Sequence, residues 1–185
     1  TPQMDDLRWQ KLFRVGVQLM TEAIIRLSKF APVDVYTVFS NHDHERVFYL
    51  GETLVAVFES HPGVRVDNTP PVRKYYRWGN NMIGLAHGHN EKPTELPLIM
   101  ANEESEMWGS TLYRYWLLGH LHHKQKYLTQ EAKDYRSVNI SYITSPSAAD
   151  AWHKEKAFVG AIKGAEGFIY NKEEGLISTV IHNIK

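Results

Sequence analysis

Apolar positions change their spacing several times along this chain, and each change marks an element. From about Asp5 to Lys29, residues Trp9, Leu12, Phe13, Gly16, Val17, Met20, Ile24 and Leu27 recur at three- and four-residue steps. That period puts them on one face of a long amphipathic helix. Pro2 and the acidic pair Asp5-Asp6 suit its start, and Ala31-Pro32 stops it. Val33 to Phe39, VDVYTVF, is rich in β-branched and aromatic residues and predicts a strand. SNHDHER then forms a turn, and a second helix from Glu45 to Ser60 carries Val47, Leu50, Gly51, Leu54 and Phe58 on one face. Val64 to Asp67 reads as a short edge strand. KYYRW-GN-NMIGLA reads as a hairpin whose second strand ends at Ala86, just before HGHNE. A helix is expected over Glu95 to Met107, and strands over Thr111 to Leu118 and over SVNISYIT. The stretch from Lys156 to Ile184 predicts two or three antiparallel strands.

This order predicts an α/β fold in one compact unit over residues 1–185, with functional groups gathered beyond the carboxyl ends of strands. Composition narrows the function classes. A formal net charge of zero leaves no global field to attract nucleic acid or an anionic membrane. The lack of cysteine excludes disulfides and thiolate metal sites and suits a cytoplasmic location. No apolar run approaches the roughly 18 residues of a membrane helix, so no membrane partner is expected.

Histidine carries the chemistry. Seven of the ten histidines fall in three short segments: His42 and His44, His87 and His89, and His120, His122 and His123. Each segment stands where a strand is expected to end. Neutral imidazole is a ligand for divalent Mn, Fe, Co and Zn, and Asn41 adds an amide oxygen. Any one of these segments alone is more often a set of surface or hydrogen-bonded histidines. Three in succession, each after a strand, point to a metal site with nitrogen and oxygen donors.

SNHD, HGH and GHLH resemble the later motifs of the calcineurin-like metallophosphoesterases: G-N-H-D/E, a strand-ending His, and G-H-x-H. The surroundings, TPQMDDLRWQKLF, APVDVYTVFSNHDHERVFYLGE and RKYYRWGNNMIGLAHG, resemble phage- and prophage-encoded phosphoesterases, relatives of the nuclease subunits of double-strand-break repair. The resemblance implies part of a four-layer α/β/β/α sandwich. It also implies a centre of two divalent ions, manganese first, with Fe, Zn, Co, Ni or Mg as alternatives. Such ions clamp a phosphoryl oxygen and activate a water for in-line attack. By that resemblance Asn41, His87 and His120 would ligate one ion and His122 the other, with Gly119 letting the backbone turn tightly enough to aim both His120 and His122. His42 would be the catalytic acid and Asp43 would hold its orientation. Arg46, His89 and His123 would touch a phosphoester substrate, of nucleic acid or nucleotides.

The chain departs from the family pattern in two places. Ser40 stands where G-N-H-D has glycine, and neither D-x-H nor G-D precedes Asn41. The expectation is therefore the C-terminal part of a phosphoesterase domain, lacking its first strands and holding about half of the dinuclear site, with one ion bound here. The alternative is a non-catalytic relic that binds one metal or a partner. Uncovered strand edges and apolar surface would then favour a homo-oligomer. RKYYRW could stack on bases, though a plain strand with a solvated basic side is the simpler reading. Lys124 and Lys126 add positive charge beside the histidines, and Arg46 serves equally as a helix-surface ion-pair partner.

Overall fold

The computed structural model describes residues 8–41, 43–119, 132–135, 137–146 and 163–184. They group into two compact units that divide between Val72 and Arg73. Helices and strands of mixed order confirm the α/β class.

In the first unit, β1 (Val33–Tyr36) and β2 (Val64–Asp67) pair in parallel, with Val33 opposite Val64 and Val35 opposite Val66. Strand alternation sends these four valines to one face. There they meet Ile24 of α1 (Trp9–Ser28) and Leu50, Leu54 and Phe58 of α2 (His44–Phe58). On the other face Arg65 and Asp34, register partners, form an ion pair at 2.8 Å.

The apolar arc of α1 is wider than the surface offered to it. Of the residues on its apolar face only Ile24 is buried, while Trp9, Leu12 and Leu27 are 50%, 54% and 59% exposed. Two strands and one helix cover only part of that arc. Strand β1 also ends at Tyr36, three residues before the expected Phe39. Just past it the Thr37 N–H still donates to the Asp67 carbonyl at 3.1 Å, and the Thr37 hydroxyl donates to Asn68 Oδ1 at 2.7 Å. Phe39 is buried and stacks on the His44 ring, 4.7 Å between centroids.

Asn68 is buried just past β2 and ties this unit together. Its Nδ2 donates to the Phe48 carbonyl at 3.1 Å and to Glu52 Oε1 at 2.8 Å. The side chain lies over Gly51, where an added Cβ would come within 1.9 Å of Asn68 Oδ1.

In the second unit, β3 (Arg73–Trp78) and β4 (Asn81–Ala86) form the expected hairpin. After α3 (Leu96–Glu103) and α4 (Ser105–Gly109) come β5 (Tyr113–Leu118), β6 (Ala132–Tyr135) and β7 (Val138–Tyr142). The sheet order is β3-β4-β5-β7-β6, with β4, β5 and β7 parallel and β3 and β6 antiparallel at the flanks. The single helix expected over Glu95 to Met107 is two, because Glu104 leaves the helical region at φ −133°, ψ 57°. One non-helical residue does not disturb the apolar spacing enough to show in the sequence. Met82, Ala86, Trp116, Leu118 and Ile140 build the sheet face that receives Leu96 and Met100 of α3. Trp116 is fully buried, and its Nε1 donates to the Leu96 carbonyl at 3.2 Å.

A second hairpin, β8 (Gly164–Asn171) with β9 (Gly175–Asn183), docks at the amino-terminal ends of β4 and β5. Asn81 Nδ2 donates to the carbonyls of Trp78 and Asn171, both at 2.7 Å. The Leu176 N–H donates to the Tyr115 hydroxyl at 2.8 Å. Gly79 at φ 57° and Gly175 at φ 86° adopt left-handed backbone, and a Cβ at Gly79 would lie 2.4 Å from the Lys172 carbonyl oxygen. Among the described residues no helix is long and apolar enough to cross a membrane.

At the opposite end, Arg73 is a hub. Its Nε lies 3.0 Å from both carboxylate oxygens of Glu103, and its Nη1 donates to Glu91 Oε1 at 3.2 Å. The Tyr75 hydroxyl donates to Glu103 Oε2 at 2.7 Å. The Arg73 guanidinium holds the Glu103 carboxyl below the usual carboxylate range, against the opposing effect of burial, and the Tyr75 hydroxyl adds to the lowering. Burial pushes the Tyr75 phenol up, and its bond to the Glu103 carboxylate adds to this.

Two outcomes test this packing. Gly51→Ala would ordinarily stabilise a helix by about 1 kcal/mol. Here overpacking and the displaced Asn68 hydrogen bonds outweigh that gain, so a net loss of about 2–4 kcal/mol is expected in a urea titration. For Glu103, the folded carboxyl titrates below the unfolded one. Its stabilisation is complete above the unfolded value of about 4.3 and disappears as pH falls through the folded value. Glu103→Gln should therefore cost about 1 kcal/mol at pH 7, since the pair is part-exposed and screened. The deficit should shrink towards zero below about pH 4, and an equal deficit at both pH values would contradict the charge-based account.

Candidate functional site

The carboxyl ends of three parallel strands in the second unit stand side by side. Ala86 is opposite Leu118, and Leu118 is opposite Tyr142. His87, Gly119 and Ile143 therefore leave the sheet in a row. The Gly119 N–H donates to the Ala86 carbonyl at 3.4 Å, and the Ile143 N–H to the Leu118 carbonyl at 2.8 Å. The His87 imidazole lies against Gly119, where an added Cβ would be 3.4 Å from Nδ1. Gly119 is outside the left-handed region and its backbone runs along the His87 ring; the histidines it is expected to aim, His120 and His122, lie outside the described residues. Gly88 does need to be glycine, at φ 86°. It stands between His87 and His89, whose ring centroids are 5.4 Å apart with planes tilted by 50°.

The loop is closed at its other end by charge. Arg73 is the register partner of Ala86, and Glu91 is bonded to Arg73, so the chain from His87 to Glu91 starts and finishes beside the same strand end.

In the first unit, Asn41 is exposed in the turn between β1 and α2. Asp43 precedes α2, where its negative charge suits the helix amino terminus. The Ser40 hydroxyl donates to the Asp43 carboxylate, and the Asp43 N–H lies 3.2 Å from Ser40 Oγ. Ser40 keeps an ordinary negative φ, so serine in place of glycine carries no backbone strain. Arg46 is exposed on the first turn of α2. His44, counted in the first histidine segment, packs on Phe39. His42, His120, His122 and His123 lie outside the described residues, as do Lys124 and Lys126.

The donors named by the sequence are imidazoles and an amide oxygen without sulfur, a set suited to Mn, Fe, Co, Ni or Zn. Among the described residues no three of His, Asp and Glu converge on a point where an ion could sit. His120 and His122, the other histidines expected as ligands, lie outside the described residues.

The basic–aromatic strand β3 has mostly internal partners. Arg73 bonds Glu91 and Glu103, and Arg77 donates to the carbonyls of Gly79 and Ser110 at 3.2 and 3.4 Å. Lys74 is buried, and Trp78 lies under the Lys172 ammonium at 4.6 Å. Trp116 is a core residue, and the half-buried Trp108 packs against that core and carries the Arg114 guanidinium on its ring at 4.1 Å. Sequence reasoning missed Glu91, Glu103 and Asn68. Nothing local marks a carboxylate or an amide that will be buried against a partner tens of residues away.

No protein-family profile matches the chain, and no curated protein sequence is similar to it. Among solved structures, it is similar to the crystal structure of a Vps29 double mutant from Entamoeba histolytica. The two are 16% identical over 88% of each chain, with a TM-score of 0.42. A likeness of that extent leaves the function to be argued from this chain's own residues.

Proposed function

We propose that this chain carries the later metal-ligand motifs of a calcineurin-like metallophosphoesterase and serves hydrolysis of phosphodiesters, of nucleic acid or nucleotides, in the cytoplasm. The observation that supports it is the β4–β5 register, which starts HGH and GHLHH side by side at one sheet edge. Asn41, His87 and His120 hold one divalent ion, manganese first, and His122 belongs to a second. A divalent ion there supplies Lewis-acid stabilisation of a phosphoryl oxygen. His42 gives a proton to the leaving oxygen, aided by the Asp43 carboxylate. Arg46, His89 and His123 bind the phosphoester. A non-catalytic reading, in which the same residues bind an ion or a partner without hydrolysis, is the alternative.

Calorimetry with Mn²⁺ on the chain, His87→Ala and His120→Ala tests the ligand assignment. One bound ion, weakened at least about tenfold in both variants, is expected. Unchanged affinity in both variants, or no binding to the parent chain, overturns it. A chromogenic phosphodiester separates the two functional readings: turnover lost in His87→Ala supports the hydrolase, and binding without turnover supports the non-catalytic module.

A further inference from the structure

We propose that Arg73 is a positioning residue: by holding the Glu91 carboxylate, it fixes the His87–Glu91 loop and with it the His87 and His89 imidazoles. The purpose of that loop rests on the function proposed above; the restraint itself rests on geometry alone.

Arg73 begins β3 directly across from Ala86, the last strand residue before His87. Its guanidinium has two working edges. The Nε and Nη2 edge binds Glu103 on α3, and Nη1 reaches Glu91 at 3.2 Å. The Glu91 side chain is only 6% exposed, so its charge needs a partner. Without Arg73 a buried carboxylate would be left uncompensated, and the favoured response is for the segment carrying it to move out to water. The loop would then swing with it, because Gly88 at φ 86° provides an easy pivot beside His87. Glu91 also accepts the Asn90 N–H on Oε2 at 3.3 Å, which couples the carboxylate to the loop backbone. A lysine at position 73 keeps the charge but loses the planar fork that serves two carboxylates at once.

The competing view is that Arg73 merely fastens α3 to β3 through Glu103. Comparing Glu91→Ala with Glu103→Ala separates the two, since each removes one arm of the hub and leaves the other. The first measurement is amide hydrogen exchange at Gly88, His89 and Asn90, without metal. Exchange should be at least about tenfold faster in Glu91→Ala and Arg73→Lys, and change less than about threefold in Glu103→Ala. Unchanged exchange in Glu91→Ala, or equal acceleration in Glu91→Ala and Glu103→Ala, overturns the proposal. Should Arg73→Lys fail to fold, Glu91→Ala still decides, because it keeps the Arg73–Glu103 pair. The second measurement is Mn²⁺-induced broadening of the His87 and His89 ring protons. Broadening in the parent chain that weakens in Glu91→Ala supports both the positioning role and the metal site. No broadening in the parent chain defeats the metal site, while the exchange result still decides the restraint.

Discussion

The indole of Trp116 fits where Gly84 has no side chain, and the second unit depends on that fit. Gly84 and Trp116 are register partners on adjacent parallel strands, and a Cβ at Gly84 would lie 2.7 Å from the ring. A slip of one residue would set Ile83 or Leu85 against the indole and turn every side chain of β4 to the wrong face. The same register puts Ala86 beside Leu118, so the two histidine segments leave the sheet as neighbours. Core packing and the layout of the candidate site are one constraint, imposed from below by the least polar part of the sheet.

Much of this was legible because it is local. The Gly79-Asn80 turn, the strand ending at Ala86 and the α2 apolar face follow from spacing and turn chemistry within a few residues of each other. What could not be read is long-range. Gly51 looks like one more small residue on a helix face until Asn68 is known to lie over it. Glu91 looks like the solvated tail of HGHNE until Arg73, eighteen residues earlier, is found to hold it. The apolar arc of α1 follows from periodicity, which reports what a helix could bury and says nothing of the surface available to bury it.

Composition says least where residues have two uses. A strand reading RKYYRW has the ingredients of a nucleic-acid surface, yet its arginines donate to internal carboxylates and carbonyls. In the opposite sense, Ser40 looks like a defect in a glycine position and instead supplies a hydroxyl that braces Asp43 at the start of α2. A single residue type carries too little information to choose between these uses; its partners do.

The two ends of the central strands answer to different rules. At the amino-terminal end, glycines at 79 and 175 and the Asn81 amide lock one hairpin onto another. At the carboxyl end, the span from His87 to Glu91 is metered, because it departs opposite Arg73 and must come back to the same guanidinium. Side chains within that span can be exchanged at little geometric cost. An insertion or a deletion cannot, since one extra or missing residue would carry the Glu91 carboxylate out of reach. Homologues that keep the arginine and the glutamate should therefore vary in the letters of this segment and hold its length constant.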